Sequence, residues 1–520
     1  MDIQHFLALN IMVISAVALL GALLQRAAPL DPLWLAVNAA VLAAGAFMLQ
    51  WAPGAAGTVV ALIFVPLVLA PMVLDRMTAK RIAQRRMREA ASLARIASWL
   101  HPTPGARFSA AVLAAQSGAT IGEQKAALES LAQRSSPHER SAVQAMILRL
   151  ESRWDELLAH LEPRPELVQA MPGVLIRALG ETGRLDRMAR AYEDAKIALH
   201  GNALWDAQLV LLAFTGRAAE VRRLLAGPLA HFDAEYQNYW IAIAERAAGN
   251  DASVWQPALQ KLAATAASPA TRQAARRVLD AGAAGQAPSS TLDEVATVIV
   301  EEAAGRMRRA PEDERQGAGR APVTWLLLAA IVAGYALAEA RGGSQNLRTL
   351  VDLGALWPPF VLRRGEWWRL ATALFLHFGL LHIAVNGLML LVLGRACERS
   401  FGSIRMALIY LMGGLASSAF VLWLATYGGG EPAVLVGASG AIMALFGGLG
   451  GRSLVMWLRY RDMLDARNLR MLAIVAALQV AVDMATPQVS LAAHASGFVA
   501  GCLIGAMLSW LSTRAAGARA

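Results

Sequence analysis

The stretch Val436-Gly-Ala-Ser-Gly-Ala-Ile-Met-Ala-Leu-Phe-Gly-Gly448 decides how the rest of the chain is interpreted. It places one hydroxyl side chain, Ser439, between small residues at the start of an apolar run. Gly437 and Gly440 let the backbone approach closely on both sides of this hydroxyl and permit a tight turn from a loop into a helix. Small residues also recur every four positions from Gly440, which suits close packing between membrane helices. The stretch alone therefore leaves two interpretations open, a nucleophile and a packing residue.

The composition of the whole chain predicts a membrane protein with an additional soluble part. Its 520 residues are 56% hydrophobic with a mean hydropathy of +0.43, too apolar for an ordinary soluble protein and too long for one compact domain. Apolar runs long enough to cross a bilayer cluster near the two ends, and the middle is charged and amphipathic. The net charge of +10 lies largely beside the apolar runs, where Lys and Arg set orientation, so we exclude a nucleic-acid partner. Cys397 and Cys502 lack the spacing of a disulfide framework or a zinc site, and we expect them to be packing residues.

The first membrane block, residues 1–75, contains three apolar runs, at about 6 to 24, 33 to 49 and 59 to 74. The first run lacks a preceding basic segment and a clear small-residue cleavage site, so we interpret it as a retained span and not as a signal peptide. A basic cluster follows the third run, and such clusters stay in the cytoplasm. Its members are Arg76, Lys80, Arg81, Arg85, Arg86 and Arg88. This pattern predicts an amino terminus outside and a middle region in the cytosol.

Residues 76–281 are predicted to form a cytosolic α-helical domain, because apolar residues recur every three and four positions and no alternating strand pattern is visible. Gly183, Gly216 and Gly249 follow one another at intervals of 33 residues, each between two helical runs. The pattern resembles a degenerate tetratricopeptide-like array of helical hairpins, whose surface would suit a cytosolic protein or peptide partner. Helix-ending glycines in an irregular bundle are the alternative. Residues 282–320, rich in small and charged residues, are interpreted as a linker.

The second membrane block, residues 321–513, contains six candidate spans, at about 323 to 338, 370 to 394, 405 to 427, 438 to 457, 470 to 485 and 489 to 511. Arginines after the second span, between the fourth and fifth, and near the carboxyl terminus predict that these segments are cytoplasmic. Nine spans in total, with the amino terminus outside, place every arginine-rich loop in the cytoplasm. The predicted fold is therefore all-α, a polytopic membrane protein with a six-helix core, a cytosolic helical repeat domain and three amino-terminal membrane helices. The positive-inside pattern, without organellar targeting features, fits a bacterial inner membrane.

Polar side chains inside membrane helices are costly, so the few in this block indicate function. His382 and Asn386 lie four residues apart and share one helix face. His494 precedes Gly497 and Gly501, so its helix face is thin enough for another helix to come close. If that helix carries Ser439, the imidazole can take the proton of the hydroxyl as a general base. Neither helix offers an acidic third member, and we expect a Ser-His dyad oriented by close packing.

The block resembles the rhomboid family of intramembrane serine proteases, over roughly the last 200 residues. Four motifs carry the resemblance, in order along the chain: Trp368-Arg369, His382 with Asn386, Gly437-Ala438-Ser439-Gly440, and Ala493-His494 with Gly497 and Gly501. The resemblance implies that Ser439 is the nucleophile and His494 the base. It also implies that Asn386 and His382, with the backbone amide of Ser439, form the oxyanion hole, and that no metal or cofactor takes part.

Three positions near these motifs are less certain matches. Rhomboids commonly carry an aromatic residue four positions after the serine, where this chain has Met443, and methionine can fill the same space against a ring. His377 is interpreted as interfacial or structural. Asp483, near the outer end of the fifth helix, is expected to be solvated at the membrane interface and not catalytic.

The sequence therefore predicts an intramembrane serine endopeptidase that cleaves transmembrane protein substrates near the outer face of the bilayer. The alternative is a catalytically inactive rhomboid-like protein that binds membrane clients through its helical repeats. A membrane metalloprotease is disfavoured because His138-Glu139 lacks a second histidine at the required spacing. A transporter in which the histidines only pack would require four motif coincidences.

Overall fold

The computed structural model describes residues 3–24, 32–84, 86–199, 201–282, 292–309, 321–428, 433–461, 463–485 and 490–517. Within these ranges the regular elements are helices, and one antiparallel bridge joins Leu356 to Leu435. The described residues group into two compact units. Residues 3–13 and 321–517 form one unit, and residues 14–309 form the other. The predicted all-α fold is confirmed.

The amino-terminal block is built of apolar helices. They are α1 (Ile3–Leu24), α2 (Pro32–Trp51), α3 (Ala56–Phe64) and α4 (Ala70–Ala83). A π-helical turn at Val65–Leu69 joins α3 and α4 into one long helix. Pro66 lies in this turn and has no N–H to donate, which explains why the regular hydrogen-bond ladder is interrupted there.

The helical array comprises α5 to α18. These helices are Met87–Leu100, Pro104–Ala115, Ile121–Arg134, Pro137–Leu150, Trp154–Leu161, Pro165–Ala170, Pro172–Glu181, Leu185–Ala195, Asn202–Phe214, Ala218–Ala226, Ala234–Ala247, Ala252–Thr265, Pro269–Asp280 and Glu294–Arg309. Hydroxyl caps followed by proline begin several of them, as at Ser136, where a capping box with Glu139 satisfies the first backbone N–H groups.

The three regularly spaced glycines of the array lie in the turns between consecutive helices. Gly183, Gly216 and Gly249 have φ values of +70°, +73° and +77°, which side chains other than glycine rarely adopt. At Gly216 a Cβ would also lie 2.9 Å from the backbone of Ala248. The helical hairpins predicted around these glycines are therefore present, and the tetratricopeptide-like character of the array stays a prediction.

Helix α18 lies inside the stretch interpreted as a linker, and it packs against α12, α13 and α14 of the array. Its apolar face is buried, with Ala296, Val300 and Ala304 fully inaccessible. The Gln208 side-chain amide of α13 donates a 2.8 Å hydrogen bond to the Ala303 carbonyl. The proposed boundary between array and linker accordingly moves from residue 281 to the end of α18.

The membrane core comprises α19 to α28. These helices are Pro322–Ala340, Leu347–Asp352, Pro358–Arg364, Arg369–Thr372, Gly379–Met389, Arg395–Phe401, Ser403–Tyr427, Ser439–Tyr460, Met463–Ala485 and Leu491–Gly517. A π-helical turn at Leu390–Gly394 joins α23 and α24. Buried apolar residues such as Ile331, Leu390 and Tyr410 fill the centre of this unit.

Seven helices among the described residues are long and apolar enough to cross a membrane, so the chain is an integral membrane protein. They are Pro32–Trp51, Pro53–Ala83, Pro322–Ala340, Gly379–Phe401, Ser403–Tyr427, Ser439–Tyr460 and Leu491–Arg514. Two further predicted spans coincide with α1 and α27, which are helices outside this set, and α27 carries several charged side chains. The second span of the core begins at Gly379 and not near residue 370, since Gly379 has φ +81° and Ala373–Phe375 is a short 3-10 turn.

Candidate active site

Helices α26 and α28, which carry Ser439 and His494, contact each other backbone to backbone. A Cβ on Gly497 would lie 2.2 Å from the Gly440 carbonyl oxygen, and one on Gly501 would lie 2.0 Å from the Ala444 carbonyl oxygen. One turn further, a Cβ on Gly505 would lie 2.4 Å from the carbonyl oxygen of α26 residue 448. We call this contact the glycine seam. It brings together the two helices that the sequence analysis paired.

The turn before Ser439 depends on Gly437. This glycine has φ +123°, and its N–H donates a 2.9 Å hydrogen bond to the Ala373 carbonyl. A Cβ at Gly437 would lie 2.8 Å from the His382 ring. Ser439 is the first residue of α26 and is half-buried, so its hydroxyl lies at the mouth of the helix with access from outside. The predicted tight turn from loop to helix is therefore confirmed.

His382 and Asn386 lie one turn apart on α23, facing this turn. The Phe378 N–H donates to His382 Nδ1 at 3.4 Å, so the proton of the neutral imidazole resides on Nε2. Nε2 would lie 2.9 Å from a Cβ at Gly437, which points this N–H donor toward the backbone beside Ser439. Asn386 is buried, and its side-chain amide donates to the His382 carbonyl at 2.9 Å. The structure thus brings His382 to the serine turn, with Asn386 one turn further along the same helix.

His377 contacts the same turn from the other side. It is fully buried, its Nε2 accepts the Ala438 N–H at 3.4 Å, and its ring lies edge-on to His382 with centroids 5.2 Å apart. Of the two interpretations offered for His377, interfacial and structural, this burial favours the structural one. A structural role fits, since this ring holds the residue that precedes Ser439.

Asp483 lies against His494, and its expected solvation at the interface is wrong. Asp483 is 4% exposed and His494 8% exposed, and Asp483 Oδ2 is 2.8 Å from His494 Nδ1. The Gln479 side-chain amide donates to the other carboxylate oxygen at 2.8 Å. The expectation that no acidic residue accompanies the histidine is therefore wrong as well, since the carboxylate comes from a third helix, α27.

A signal for Asp483 was present in the sequence. Gln479 and Asp483 are two polar residues four apart in an otherwise apolar helical run, and an ionisable residue inside a membrane helix is a functional candidate by default. The position of Asp483 near the end of its helix instead suggested that water solvates its carboxylate. In the structure the end of α27 lies beside α28, and the carboxylate has two protein partners.

Two further contacts hold the backbone around the site. The Ser417 hydroxyl of α25 donates a 2.7 Å hydrogen bond to the Ala493 carbonyl, directly before His494. Met443 is half-buried one turn after Ser439, and the nearby ring pair of the two helices is Phe446 with Phe498, at 5.4 Å between centroids.

Trp368 and Arg369 lie outside this cluster, in the loop before α23. Arg369 is 4% exposed, and its guanidinium donates to the Val351 and Ala355 carbonyls at 2.5 and 3.1 Å and to Glu366 at 2.6 Å. Trp368 is half exposed, and its ring covers Gly354. These residues hold the loop together. Among the described residues no group of three metal-ligating side chains occurs, and both cysteines are free thiols.

Comparison with known proteins identifies the membrane core. A profile of the rhomboid domain matches residues 364–511. The chain is 40% identical over 131 residues to "Rhomboid protease GluP" of Bacillus subtilis (strain 168), covering 25% of this chain and 24% of that protein. It is 35% identical over 161 residues to "RHOMBOID-like protein 6, mitochondrial" of Arabidopsis thaliana, covering 31% of this chain and 50% of that protein.

A shorter relative is matched over more of its length. The chain is 32% identical over 142 residues to "Putative rhomboid protease YdcA" of Bacillus subtilis (strain 168), covering 27% of this chain and 66% of that protein. The chain thus spans half or less of the first two relatives, and all three matches cover less than a third of this chain. Four motifs and these similarities agree, and together they support the rhomboid family for the carboxyl-terminal domain of this chain.

Proposed function

We propose that this protein is an intramembrane serine endopeptidase, with Ser439 as nucleophile and His494 as general base. The observation that carries the proposal is the glycine seam. Because the Gly497 backbone lies against Gly440, the two helices meet at the residue after Ser439 and about one turn after His494. A nucleophile and a base on two separate helices need such an approach to come within hydrogen-bond reach.

The proposed reaction proceeds in two steps. Ser439 Oγ attacks the carbonyl carbon of the scissile peptide bond while His494 Nε2 takes the hydroxyl proton. The imidazolium then gives this proton to the leaving amine, which departs with the carboxyl-terminal part of the substrate. The amino-terminal part remains as an ester on Ser439 until water, deprotonated by the same nitrogen, hydrolyses it. The free lone pair of Nε2 suits both steps, because Nδ1 is engaged by Asp483.

Three donors are proposed for the oxyanion. The backbone N–H of Ser439 begins α26, where the first N–H groups of a helix have no intrahelical partner. His382 Nε2–H points at the same turn. One N–H of the Asn386 side-chain amide donates to the His382 carbonyl. Its second N–H is therefore the one proposed to donate to the oxyanion. Such donors stabilise the tetrahedral intermediate more than the ground state.

The proposed substrates are transmembrane protein segments, cleaved near the outer face of the bilayer. A helix hides its peptide bonds, so segments with Gly, Pro or small residues at the cleaved bond are favoured, since they unwind at lower cost. The helical array is proposed to be cytosolic and to bind a protein or peptide, and the bilayer is proposed to be a bacterial inner membrane with the amino terminus outside. The positive-inside pattern supports this orientation.

The test is covalent labelling of the purified, detergent-solubilised chain with a fluorophosphonate, together with cleavage of a transmembrane test substrate. Wild type should be labelled and should cleave, and Ser439→Ala and His494→Ala should do neither. Ser453→Ala, a buried serine further along α26, is the matched control and should behave as wild type. A folded wild type that is neither labelled nor able to cleave would favour the inactive, client-binding alternative.

A further inference from the structure

The His494 ring has a carboxylate on the side away from the seam. Asp483 Oδ2 lies 2.8 Å from His494 Nδ1, and both side chains are almost completely buried. We infer that Asp483 is a positioning residue of the same site, which holds His494 in the tautomer whose Nε2 lone pair can accept the Ser439 proton. The inference rests on the proposed function and replaces the expected dyad with a Ser439-His494-Asp483 triad.

The chemistry of the two groups fixes the direction of this hydrogen bond. A carboxylate only accepts, so Nδ1 must carry the proton that it donates to Asp483. The neutral ring then has its lone pair on Nε2, which is the form a general base needs. When Nε2 takes the serine proton, the carboxylate also stabilises the imidazolium that results.

The carboxylate itself is held in place. Gln479 lies one turn earlier on α27, and its side-chain amide donates to Asp483 Oδ1 at 2.8 Å. Each carboxylate oxygen therefore has a partner, which offsets the cost of burying the group. Because the carboxylate only accepts, Gln479 must present its amide nitrogen to Oδ1, which leaves Oδ2 to face the histidine.

In a merely structural role, the hydrogen bond of Asp483 would only tie the end of α27 to α28. The two roles make different predictions for Asp483→Asn. With Gln479 in its present orientation, its amide donates to the asparagine carbonyl oxygen, and the asparagine NH2 then faces His494 and donates to Nδ1. The hydrogen bond and the tie survive, but the ring is forced into the tautomer with its proton on Nε2, which cannot act as the base.

The experiment measures kcat and KM for a transmembrane test substrate, and the fluorophosphonate labelling rate, in the full-length protein. The variants are Asp483→Asn, Gln479→Leu and the double variant, with Asp465→Asn as the control that removes a carboxylate from the same helix. Thermal unfolding in the same detergent reports the fold of each variant.

We expect Asp483→Asn to lower kcat by about 10² to 10⁴ with little change in KM, as loss of the correct tautomer does in other serine hydrolases. Gln479→Leu should lower kcat by about three- to tenfold, the worth of one hydrogen bond. In the double variant the asparagine is free to turn its carbonyl to Nδ1, so kcat should rise about tenfold above Asp483→Asn. Asp465→Asn should match wild type.

Two results would overturn the inference. One is an Asp483→Asn variant with the kcat and labelling rate of wild type. The other is a double variant no more active than Asp483→Asn and less thermally stable, which would identify Asp483 as a tie between helices. In both cases Ser439→Ala and His494→Ala still abolish labelling if the proposed function is right, so the two failures are distinguishable.

Discussion

The helical array and the contact between α26 and α28 of the membrane core differ in the residues that fill them. In the array, large side chains such as Leu209 and Trp255 are at most 2% exposed and pack among buried alanines. Between α26 and α28 of the core the contact is made by glycine, with backbone against backbone at Gly497 and Gly501. Each unit therefore tolerates a change that the other does not.

The difference follows from the solvent of each unit. In water, burial of apolar surface drives association, so large aliphatic side chains contribute most. Between membrane helices that force is absent, because lipid tails are as apolar as leucine, and association depends on close packing and polar contacts. In the seam the helices pack closely because glycine has no side chain to separate their backbones. The hydrogen bond from the Ser417 hydroxyl to the Ala493 carbonyl adds a polar contact between α25 and α28.

The largest expected effect is on the array. Leu209→Ala removes a fully buried side chain from α13, and the cavity should lower the free energy of unfolding by about 2 to 5 kcal/mol. Hydrogen exchange of peptides from α13 in the full-length protein measures this loss. Val254→Ala on α16, where the side chain is 53% exposed, is the control and should change little. Equal protection of wild type and Leu209→Ala would contradict the comparison.

The opposite change should damage the seam. Gly447→Ala places a Cβ 2.0 Å from the Phe498 carbonyl oxygen, and the overpacking should cost about 1 to 3 kcal/mol and lower the labelling rate of Ser439. Gly450→Ala is the matched control on the same helix, because its nearest atom is Cys502 Sγ at 3.8 Å, an ordinary contact. Unfolding in detergent and fluorophosphonate labelling check both variants. If Gly450→Ala were the more damaging of the two, the seam would not be the limiting contact.

The smallest expected effect tests a polar group in the array. Burial raises the pKa of the Asp206 carboxyl, although the Tyr236 hydroxyl, Arg177 and Arg149 act to lower it. A pKa raised by folding means that ionised Asp206 costs stability, fully so above its folded pKa and not at all below the unfolded value. Asp206→Asn should therefore stabilise the array at pH 8, and this gain should shrink as the pH falls through the folded pKa toward the unfolded value.

Asp251 provides a control of opposite sign for this last prediction. Hydrogen bonds from Ser253 lower the pKa of the Asp251 carboxyl, so its charge contributes stability above the unfolded pKa. Asp251→Asn should then destabilise the array slightly at pH 8. Melting temperatures of both variants at pH 8 and pH 5 measure the two signs, and an identical response would refute the assignment for Asp206.

The sequence predicted those residues of the candidate site that are unusual within their own segment of the chain. Ser439 between glycines and His494 on a thin helix face are unusual within their own segments, so one segment at a time was enough to find them. The contact of Asp483 with His494 was missed because it depends on where the end of α27 lies relative to α28, which spacing along the chain does not specify. The burial of His377 likewise depends on how distant segments pack.

The fold shows the same division. Long apolar runs and glycine turns predicted the helices of both units, because these signals act within a few residues. The start of α23 at Gly379 and the docking of α18 onto α12 to α14 depend on a positive φ and on a distant surface, and neither could be read from periodicity.

The glycine seam also restricts how this protein can change over evolutionary time. The backbone atoms that set the separation of α26 and α28 also set the separation of Ser439 and His494, so a substitution in the seam alters both together. Under the proposed function, variation in substrate choice then has to arise from residues outside the seam, such as the exposed faces of α25 and α27 or the segment that Arg369 holds. Across related chains, side-chain volume at Gly440, Gly497 and Gly501 should therefore vary less than at any exposed position of the same helices.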